Sequence, residues 1–292
     1  MIVRVRSILV AVLLVTIPVG ASAHFEGALL SSRTASLGGA FVALADDPSA
    51  TVDNPAGLSG LLQPALLATY QRPYGVDGLD ESFAAVSIPA KWVTVGAAWF
   101  HRGLDGALSE DRVTVALARD LKRTSEDASL SIGVNVDIAM ASASDPIDSD
   151  DATTAFGAGV LLRPFSFIGM GYSIRNINEP SLDLVEGGAT TPLPRTQTVG
   201  LSYYWQDRLT VTAELFEDAH SAWHSRGGVE LRLGNYVMLR GGLESANAAA
   251  GVGLAWRSVV FDAAYLSHEA LGQSYVVTLR YMRRAPARPY GS

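Results

Sequence analysis

Residues 129–140 read SLSIGVNVDIAM, in which every second side chain is apolar and the others are small or polar. Successive side chains of a β-strand point to opposite faces, so this stretch predicts a strand with one apolar and one small or polar face. The same period of two recurs about fourteen times after residue 60, with turn signals between the repeats. The chain is therefore expected to be all-β.

Fourteen strand candidates follow from Pro64 onward. Most are about 8 to 11 residues long, which suits tilted strands that cross a bilayer. The candidates are 64–71, 82–89, 92–101, 112–120, 128–142, 155–163, 167–177, 196–205, 209–216, 226–233, 236–244, 248–256, 259–266 and 273–282.

The connections between these candidates nearly alternate in length. The shorter class is 90–91, 164–166, 206–208, 234–235 and 257–258, and the longer class is 72–81, 102–111, 143–154, 178–195, 217–225 and 267–272. Two connections, 121–127 and 245–247, break the rule. Outer-membrane barrels have short periplasmic turns and longer external loops. The sequence thus predicts a closed antiparallel transmembrane β-barrel of about 14 strands in the outer membrane of a Gram-negative-type bacterium, with both termini periplasmic.

A soluble β-sandwich also alternates and is the main alternative fold. A sandwich usually loads its solvent face with Lys, Glu and Thr, whereas the second face here is mostly Gly, Ser and Ala. Aromatic side chains also lie near strand ends on the apolar face, where membrane barrels carry aromatic girdles. These aromatic residues are Tyr203, Trp205, Trp256, Tyr265 and Tyr281.

The first 23 residues have the pattern of a signal peptide. Arg4 and Arg6 precede an apolar run over 8–19, and Ala21-Ser22-Ala23 matches an A-x-A cleavage site. An uncleaved anchor helix is the alternative, which the helix-breaking Pro18 disfavours. Beyond residues 1–23, we expect a plug over 24–62, the barrel over 63–283 and a periplasmic tail over 284–292.

Composition excludes several classes of protein. The net charge is −7, or about −9 without the two arginines of the leader, which disfavours nucleic-acid binding. Cysteine is absent, so neither disulfides nor thiolate metal sites are available. Charged residues make up 17% of the chain, against about 25% in soluble domains. In a barrel, the apolar surplus would face outer-membrane lipid.

Residues 24–62 differ from the rest because Ala, Gly and Ser dominate and strict alternation is missing. A short helix is expected within 35–45, and a second from Pro48 with Asp47 as its cap. Fourteen strands enclose more space than their own side chains fill. This segment is therefore predicted to plug the lumen.

Charged side chains on the non-apolar strand faces are predicted to point into the lumen, because a charge facing lipid at mid-depth costs about 2–4 kcal/mol. They would either bind a solute or form an ion-pair network that holds strands and plug together. The set is Asp137, Arg175, Glu214, Glu230, Arg232, Arg240, Glu244, Asp262 and Arg280.

No enzyme or cofactor is predicted. The histidines are His24, His101, His220, His224 and His268, and no nucleophile motif accompanies them. His220 and His224 have the i, i+4 spacing of a helical metal site, but they lie in a short loop without a nearby third ligand. Gly38-Gly39 does not follow a strand, and no phosphate-loop pattern is present. A solvated loop and no metal site are expected.

Residues 37–50, LGGAFVALADDPSA, and residues 54–58, NPAGL, carry a family resemblance. They resemble the start of the FadL/TodX-type outer-membrane transport proteins and of the related PorV/PorQ-type proteins. The resemblance implies a fourteen-stranded barrel with an N-terminal hatch in its lumen. The hatch signature maps onto Gly38, Gly39, Asp46, Asp47, Asn54, Pro55, Ala56 and Gly57.

The resemblance leaves two functions open. FadL-type proteins pass hydrophobic molecules, such as fatty acids or aromatic hydrocarbons, which leave sideways through a gap in the wall. PorV-type barrels serve protein secretion instead, and their partners are secretion-system proteins. We expect passive uptake of a hydrophobic small-molecule ligand, with a scaffold or shuttle role as the alternative. An apolar pocket next to a wall gap would favour uptake, and a sealed wall would favour the scaffold.

Overall fold

The computed structural model describes residues 30–105, 107–123, 128–144, 149–182, 191–217, 221–245, 247–268 and 271–282. The predicted signal peptide at 1–23 and tail at 284–292 lie outside these residues, as do His24 and His220. In the part of the chain that is described, no helix is long and apolar enough to cross a membrane.

Fourteen strands form one closed antiparallel sheet, which confirms the predicted barrel and rules out the sandwich of two open sheets. Each barrel strand pairs with the next along the chain, and the last pairs with the first. The barrel strands are β1 Ala65–Arg72, β2 Leu79–Pro89, β3 Thr94–Leu104, β4 Leu108–Arg123, β5 Ser129–Ala143, β6 Ser149–Phe165, β7 Ile168–Arg175, β10 Thr196–Trp205, β11 Leu209–Glu217, β12 Trp223–Leu233, β13 Val237–Glu244, β14 Asn247–Trp256, β15 Val259–His268 and β16 Gly272–Met282. The connection between β7 and β10 holds β8 Ser181–Leu182 and β9 Thr191–Pro192.

The closing seam between β1 and β16 is complete, from Ala65 opposite Met282 to Arg72 opposite Tyr275. Closure removes the unpaired strand edges that an open sheet would present. Two ladders are irregular, between Asp120 and Lys122 in β4 and between Leu162 and Phe165 in β6. Both irregularities lie at the end of the barrel that we call the turn rim, where the connections are 90–93, 124–128, 166–167, 206–208, 234–236 and 257–258.

Strands at the opposite end, the loop rim, run further than the sequence predicts. β4 and β6 have 16 and 17 residues, so most of the predicted loops 102–111 and 143–154 is strand instead. The apolar alternation stops there, but backbone pairing continues because a ladder needs no apolar side chain. The 176–195 connection is the long one at the loop rim. Its Leu182 and Leu193 are buried against Ala139 and Ala141 on the inner face of β5.

The outer face of the barrel carries the apolar side chains of the alternation. Val134, Ile138 and Leu201, for example, are exposed on it. Exposed aromatic side chains lie near both rims, as the girdle prediction requires. Near the turn rim they include Trp92, Phe165, Tyr203, Trp205, Trp256 and Tyr281, and near the loop rim Tyr70, Trp99, Tyr172, Trp223, Tyr265 and Tyr275.

Residues 30–61, which we call the luminal segment, contain α1 Ser32–Ser36, α2 Ala50–Asp53 and a 3₁₀ helix over Pro55–Gly60. The predicted helix within 35–45 is wrong. Helix α1 starts earlier, because the Ser31 hydroxyl accepts a hydrogen bond from the backbone N–H of Thr34. It ends before Gly38 and Gly39, whose φ angles of 65° and 86° are left-handed.

The second helix also begins later than predicted, at Ala50 rather than Pro48. The Asp47 carboxylate does not cap it directly. Asp47 Oδ1 accepts hydrogen bonds from the backbone N–H and the hydroxyl of Ser49, at 3.0 and 2.7 Å. The aspartate therefore fixes the turn that leads into the helix.

The luminal segment lies inside the barrel and is almost fully buried. On β5, a methyl group added to Gly133 would overlap the backbone of Pro55 and Ala56. On β13, nearly opposite in the ring, one added to Gly242 would overlap Leu37 and Gly38. Glycine is required at both positions because the two backbones approach so closely.

Candidate functional site

Two halves of the luminal segment contact opposite sides of the lumen. Helix α1 lies against β13, β14, β15 and β16, whereas the 3₁₀ helix lies against β3, β4, β5 and β6. Each half brings polar groups to the wall: the backbone N–H of Ser32 donates to Thr278 Oγ1, and the side chain of Asn54 donates to the carbonyl of Val160.

Four charged residues of the wall form one chain of ion pairs inside the barrel. Arg240 contacts Glu230 at 2.6 Å and Asp262 at 2.7 Å. Arg280 contacts the other oxygen of Asp262 at 3.3 Å. All four were predicted to face the lumen, and the structure brings them together. Within the wall, the two positive charges of the guanidinium groups therefore balance the two negative charges of the carboxylates.

The luminal segment closes this chain into a ring. Arg33 contacts Glu230 at 2.9 Å, and Arg280 contacts Asp47 at 3.2 Å. Arg33 also pairs with its own neighbour Asp46 and lies 3.9 Å from Asp47. Ion pairs in a buried site need such mutual satisfaction, because an unpartnered buried charge is strongly destabilising.

Glu214 on β11 holds the middle of the luminal segment. Its Oε2 accepts hydrogen bonds from the backbone N–H groups of Phe41 and Val42, at 3.0 and 2.9 Å. Its other oxygen pairs with Arg226, the residue directly opposite on β12. Sequence reasoning missed Arg226, although the cross-strand register would have paired it with Glu214. Gly39 packs against this arginine.

Asn54 joins the two halves of the segment to the wall. Its side-chain N–H₂ donates to the carbonyls of Val42, at 2.8 Å, and Val160 on β6, at 3.2 Å. Its Oδ1 accepts from the backbone N–H of Ala56 at 3.2 Å, which caps the 3₁₀ helix that Pro55 begins. Gly57 packs against Ala45. Asn54 and Gly57 of the predicted signature therefore hold parts of the segment against each other.

The remaining predicted charges have different surroundings. Asp137 is fully buried and accepts from Thr114 Oγ1 at 2.5 Å and Asn135 Nδ2 at 3.2 Å. Arg175 and Glu244 are half-buried at the loop rim. Arg232 has the same strand parity as Glu230 but is exposed near the turn rim, so the structure does not bring it into the buried cluster.

An apolar pocket lies between the luminal segment and the wall, toward the loop rim. It is small, with a free volume of about 10 Å³, roughly the room that one water molecule needs, and it is partly open to solvent. Its apolar side chains come from the segment and from β2 and β3, and its polar side chains from β4 and β7. The lining residues are Leu30, Val52, Phe83, Ala98, Phe100, Arg112, Thr114 and Arg175.

Sequence reasoning missed most of this pocket. Phe83 and Phe100 break the rule of small or polar inward side chains, and they lie directly opposite each other on β2 and β3. The one available signal was two large aromatic side chains at inward-facing positions of neighbouring strands.

Asp53, next to Val52 of the pocket, is another residue that sequence reasoning missed. It is half-buried, and its Oδ2 atom has no hydrogen-bond partner among the described residues. Burial raises the pKa of Asp53 from 3.8 to about 7, although the positive charges of Arg175 and Arg226 oppose this change. This carboxyl group therefore titrates near neutral pH.

The histidines that the structure describes, His101, His224 and His268, are not brought together into one site. His101 stacks on Trp99 and lies 3.1 Å from Asp111 on the outer face. His224 lies in β12 against Phe216 rather than in a loop, because the strand begins at Trp223. Across the residues that the structure describes, no three His, Asp or Glu side chains cluster as metal ligands.

No protein-family profile matches the chain, and no curated protein matches it significantly. Solved structures do match. The fold is that of the toluene transporters. The chain aligns with the toluene transporter TbuX of Ralstonia pickettii at 14% identity and a TM-score of 0.62, over 88% of this chain and 100% of that one. It aligns with the toluene transporter TodX of P. putida at 12% identity and a TM-score of 0.62, over 90% of this chain and 100% of that one.

A third match has the same character. The TodX monoaromatic hydrocarbon channel with the deltaS2 mutation aligns at 12% identity and a TM-score of 0.63, over 89% of this chain and 100% of that one. At such identities the likeness is one of fold. The predicted resemblance to TodX-type barrels is confirmed at that level.

Proposed function

We propose that the protein is an outer-membrane β-barrel for the passive uptake of small hydrophobic molecules of the fatty-acid or hydrocarbon type. The apolar outer belt fits a lipid environment, and the fold is similar to that of toluene transporters. The observation that carries the proposal is this fold, a closed fourteen-stranded barrel with a segment of the chain inside its lumen.

The route in this proposal runs along the lumen. A molecule reaches the pocket from the loop rim, and the luminal segment blocks its way to the turn rim. Leu30 and Val52 belong both to the pocket and to the segment, so a shift of the segment opens the pocket toward the other side. Following the rule for outer-membrane barrels, the turn rim and both chain ends would be periplasmic.

The ion pairs are arranged so that the segment can move at low electrostatic cost. When it leaves the wall, Glu230 and Asp262 keep Arg240 and Arg280 as partners. Within the segment, Arg33 keeps Asp46. Neither surface is left with an isolated buried charge, which would otherwise oppose the movement by several kcal/mol (about 3–5).

A disulfide between segment and wall tests this mechanism. The hydroxyl oxygens of Ser32 and Thr278 are 2.9 Å apart, and the chain contains no cysteine. In the Ser32→Cys/Thr278→Cys variant, oxidation should stop toluene uptake into proteoliposomes, and reduction should restore it. The two single variants are the controls. Full uptake by the oxidised, cross-linked protein would show that the segment need not move.

The scaffold or shuttle role in surface protein secretion remains a second candidate, because the wall is continuous at β3. Every residue of Thr94–Leu104 pairs with β2 on one side and β4 on the other, without a register shift. Where β6 outruns β7, Ile177 and Asn178 bond to its edge instead. Loss of exported surface proteins in cells lacking this chain, with hydrocarbon uptake unchanged, would favour the scaffold.

A further inference from the structure

We propose that the outer face of the turn rim binds an anionic phospholipid at β3 and β4, with the lipid phosphate on Lys91, Arg119 and Lys122. This inference goes beyond the proposed uptake, because it concerns the membrane around the barrel and not the molecule inside it. It rests on one part of that proposal, the periplasmic placement of the turn rim. The lipid would therefore belong to the periplasmic leaflet of the outer membrane.

A bulge in β4 places two cations on the same face of the sheet. Arg119 and Lys122 are three positions apart, so a regular strand would direct them to opposite faces. The β4–β5 ladder instead skips one residue between Asp120 and Lys122. Arg119 therefore lies opposite Ile132 and Lys122 opposite Leu130, and both of these β5 residues have the outward parity of the apolar belt. Both basic side chains are exposed.

The intervening acid of β4 points away from these cations. Asp120 pairs with Ser131, whose side chain faces inward and is 1% exposed, and it accepts a hydrogen bond from the Ser131 hydroxyl at 2.6 Å. β-Bulges at barrel rims commonly re-aim side chains in this way. The two cations therefore stay on the outer face while the carboxylate between them in sequence turns inward.

The turn between β2 and β3 adds a third cation. Thr94 pairs with Ala118, so the turn that precedes Thr94 lies beside Arg119. In that turn, exposed Lys91 lies 4.9 Å from the ring centroid of Trp92, which is 67% exposed. Tryptophan side chains lie at the level of the lipid headgroups, and their rings attract cations. The three cations are thus at the depth of lipid phosphates.

An apolar surface continues from the cations toward the middle of the barrel. Leu117 of β4 pairs with Val95 of β3 on one side and with Val134 of β5 on the other. All three side chains are exposed on the outer face. Acyl chains fit such a surface, and a phosphate fits the cations at its end. The patch therefore matches an amphiphile with an anionic head.

The charges at the two rims favour an anionic headgroup over a zwitterionic one. In the described part of the chain, acids gather at the loop rim and exposed basic side chains at the turn rim. The loop-rim acids include Asp77, Asp80 and Asp111, and the other turn-rim arginines include Arg208, Arg232 and Arg257. Basic residues outnumber acids at the turn rim even when Arg123, Glu126 and Asp127, whose side chains lie outside the described set, are counted. Basic side chains near a membrane surface attract anionic lipids.

Native mass spectrometry of the full chain in detergent tests this site, with phosphatidylglycerol and phosphatidylethanolamine of identical acyl chains as probes. The native chain should bind phosphatidylglycerol more tightly. Arg119→Gln/Lys122→Gln should weaken that binding about tenfold or more, the effect of two cations at an anionic surface, and leave phosphatidylethanolamine binding nearly unchanged. Arg72→Gln/Arg195→Gln removes the same charge from exposed arginines near the loop rim and should change neither affinity.

The outcomes separate the lipid site from the proposed uptake. Equal native affinities for the two lipids, or an equal loss in both double variants, would overturn the site and leave hydrophobic uptake standing. If the Arg119→Gln/Lys122→Gln variant does not fold, Lys91→Gln changes only a turn residue and should still weaken phosphatidylglycerol binding severalfold. No weakening in Lys91→Gln would then overturn the site.

The leaflet is tested separately with single cysteines, since the chain contains none. Asn235→Cys, in an exposed turn at the turn rim, should react with a membrane-impermeant maleimide only after the outer membrane is permeabilised. Asp77→Cys at the loop rim, where the native side chain is 99% exposed, should react in intact cells. Labelling of Asn235→Cys in intact cells would place the turn rim outside and overturn both the leaflet assignment and the proposed orientation.

Discussion

Arg33 of the luminal segment and Glu230 of the barrel wall form an ion pair of 2.9 Å between two side chains that are 7% and 5% exposed. The pair joins residues 197 positions apart in sequence. With the Asp47–Arg280 pair, it is one of two ion pairs that join the segment to a network of wall residues that are already paired with one another. This relationship distinguishes a docked element from a fixed part of the core, because each partner keeps a second ion pair when the contact breaks.

Two arginines of this network, Arg240 and Arg33, should therefore differ in their effect on stability. Arg240→Met removes ion pairs to two buried carboxylates, Glu230 and Asp262, and it should lower the free energy of unfolding by up to about 3–5 kcal/mol. Arg33→Met should cost less, because it removes only one ion pair to a fully buried carboxylate and its other close partner, Asp46, is partly exposed. Urea unfolding followed by tryptophan fluorescence measures both. An equal or larger cost for Arg33→Met would contradict the two-part network.

Removing the Glu214 carboxylate should loosen the segment without opening the wall. Glu214→Ala frees the backbone N–H groups of Phe41 and Val42 and leaves Arg226 without this partner. We expect the ion conductance in planar bilayers to rise above that of the native protein. Glu217→Ala on the same strand is the control, because Glu217 bonds Gln197 at the loop rim. Equal conductance from both variants would mean that the Glu214 contact does not hold the segment.

A larger side chain in place of Gly133 should also displace the luminal segment. Gly133→Val would overlap Pro55 and Ala56, whereas Gly241→Val on the outer face meets only Ala249 O at 3.9 Å. The first variant should expose the segment to added protease or lower stability by roughly 1–3 kcal/mol or more, the cost of overpacking. The second should behave as native. Indistinguishable digestion and stability of the two variants would place the segment elsewhere.

Asp53 should make stability depend on pH in a defined direction. The pKa of Asp53 is raised from 3.8 in the unfolded chain to about 7 in the folded one. Between these values the folded state binds more protons than the unfolded state, so stability falls as pH rises from about 4 to about 7. Asp53→Asn should remove the part of this loss of stability that comes from Asp53. Urea midpoints at pH 5 and pH 8 measure it, and an unchanged pH difference in the variant would disprove the assignment.

The parts of the fold that could be predicted from the sequence are those that depend on local interactions. The strands were predicted because alternation such as Leu130 to Met140 is written in neighbouring residues and one face meets lipid. The extra length of β6 was not predicted, since its polar start, Ser149 to Thr154, is held by pairing with β5 and by Asn178, which donates to the carbonyl of Thr154. The pocket was missed because Phe83 and Phe100 meet only through cross-strand register.

The luminal charges illustrate the same limit. Parity alone predicts that Glu230 and Arg232 share a face, and they do. Only the position of the luminal segment decides that Glu230 is buried beside Arg33 while Arg232 is exposed near the turn rim. Contacts between 30–61 and the wall span most of the chain length, so no local pattern encodes them.

The most direct measurement of the central claim is toluene uptake into proteoliposomes by the native chain and by two tryptophan variants. Val52→Trp fills the luminal pocket, whereas Val134→Trp places the same side chain on the outer face, where Val134 is 54% exposed. Uptake through the pocket predicts that the native protein and Val134→Trp admit toluene and that Val52→Trp does not. Native uptake no faster than that of empty liposomes, or equal uptake by the two variants, would contradict it.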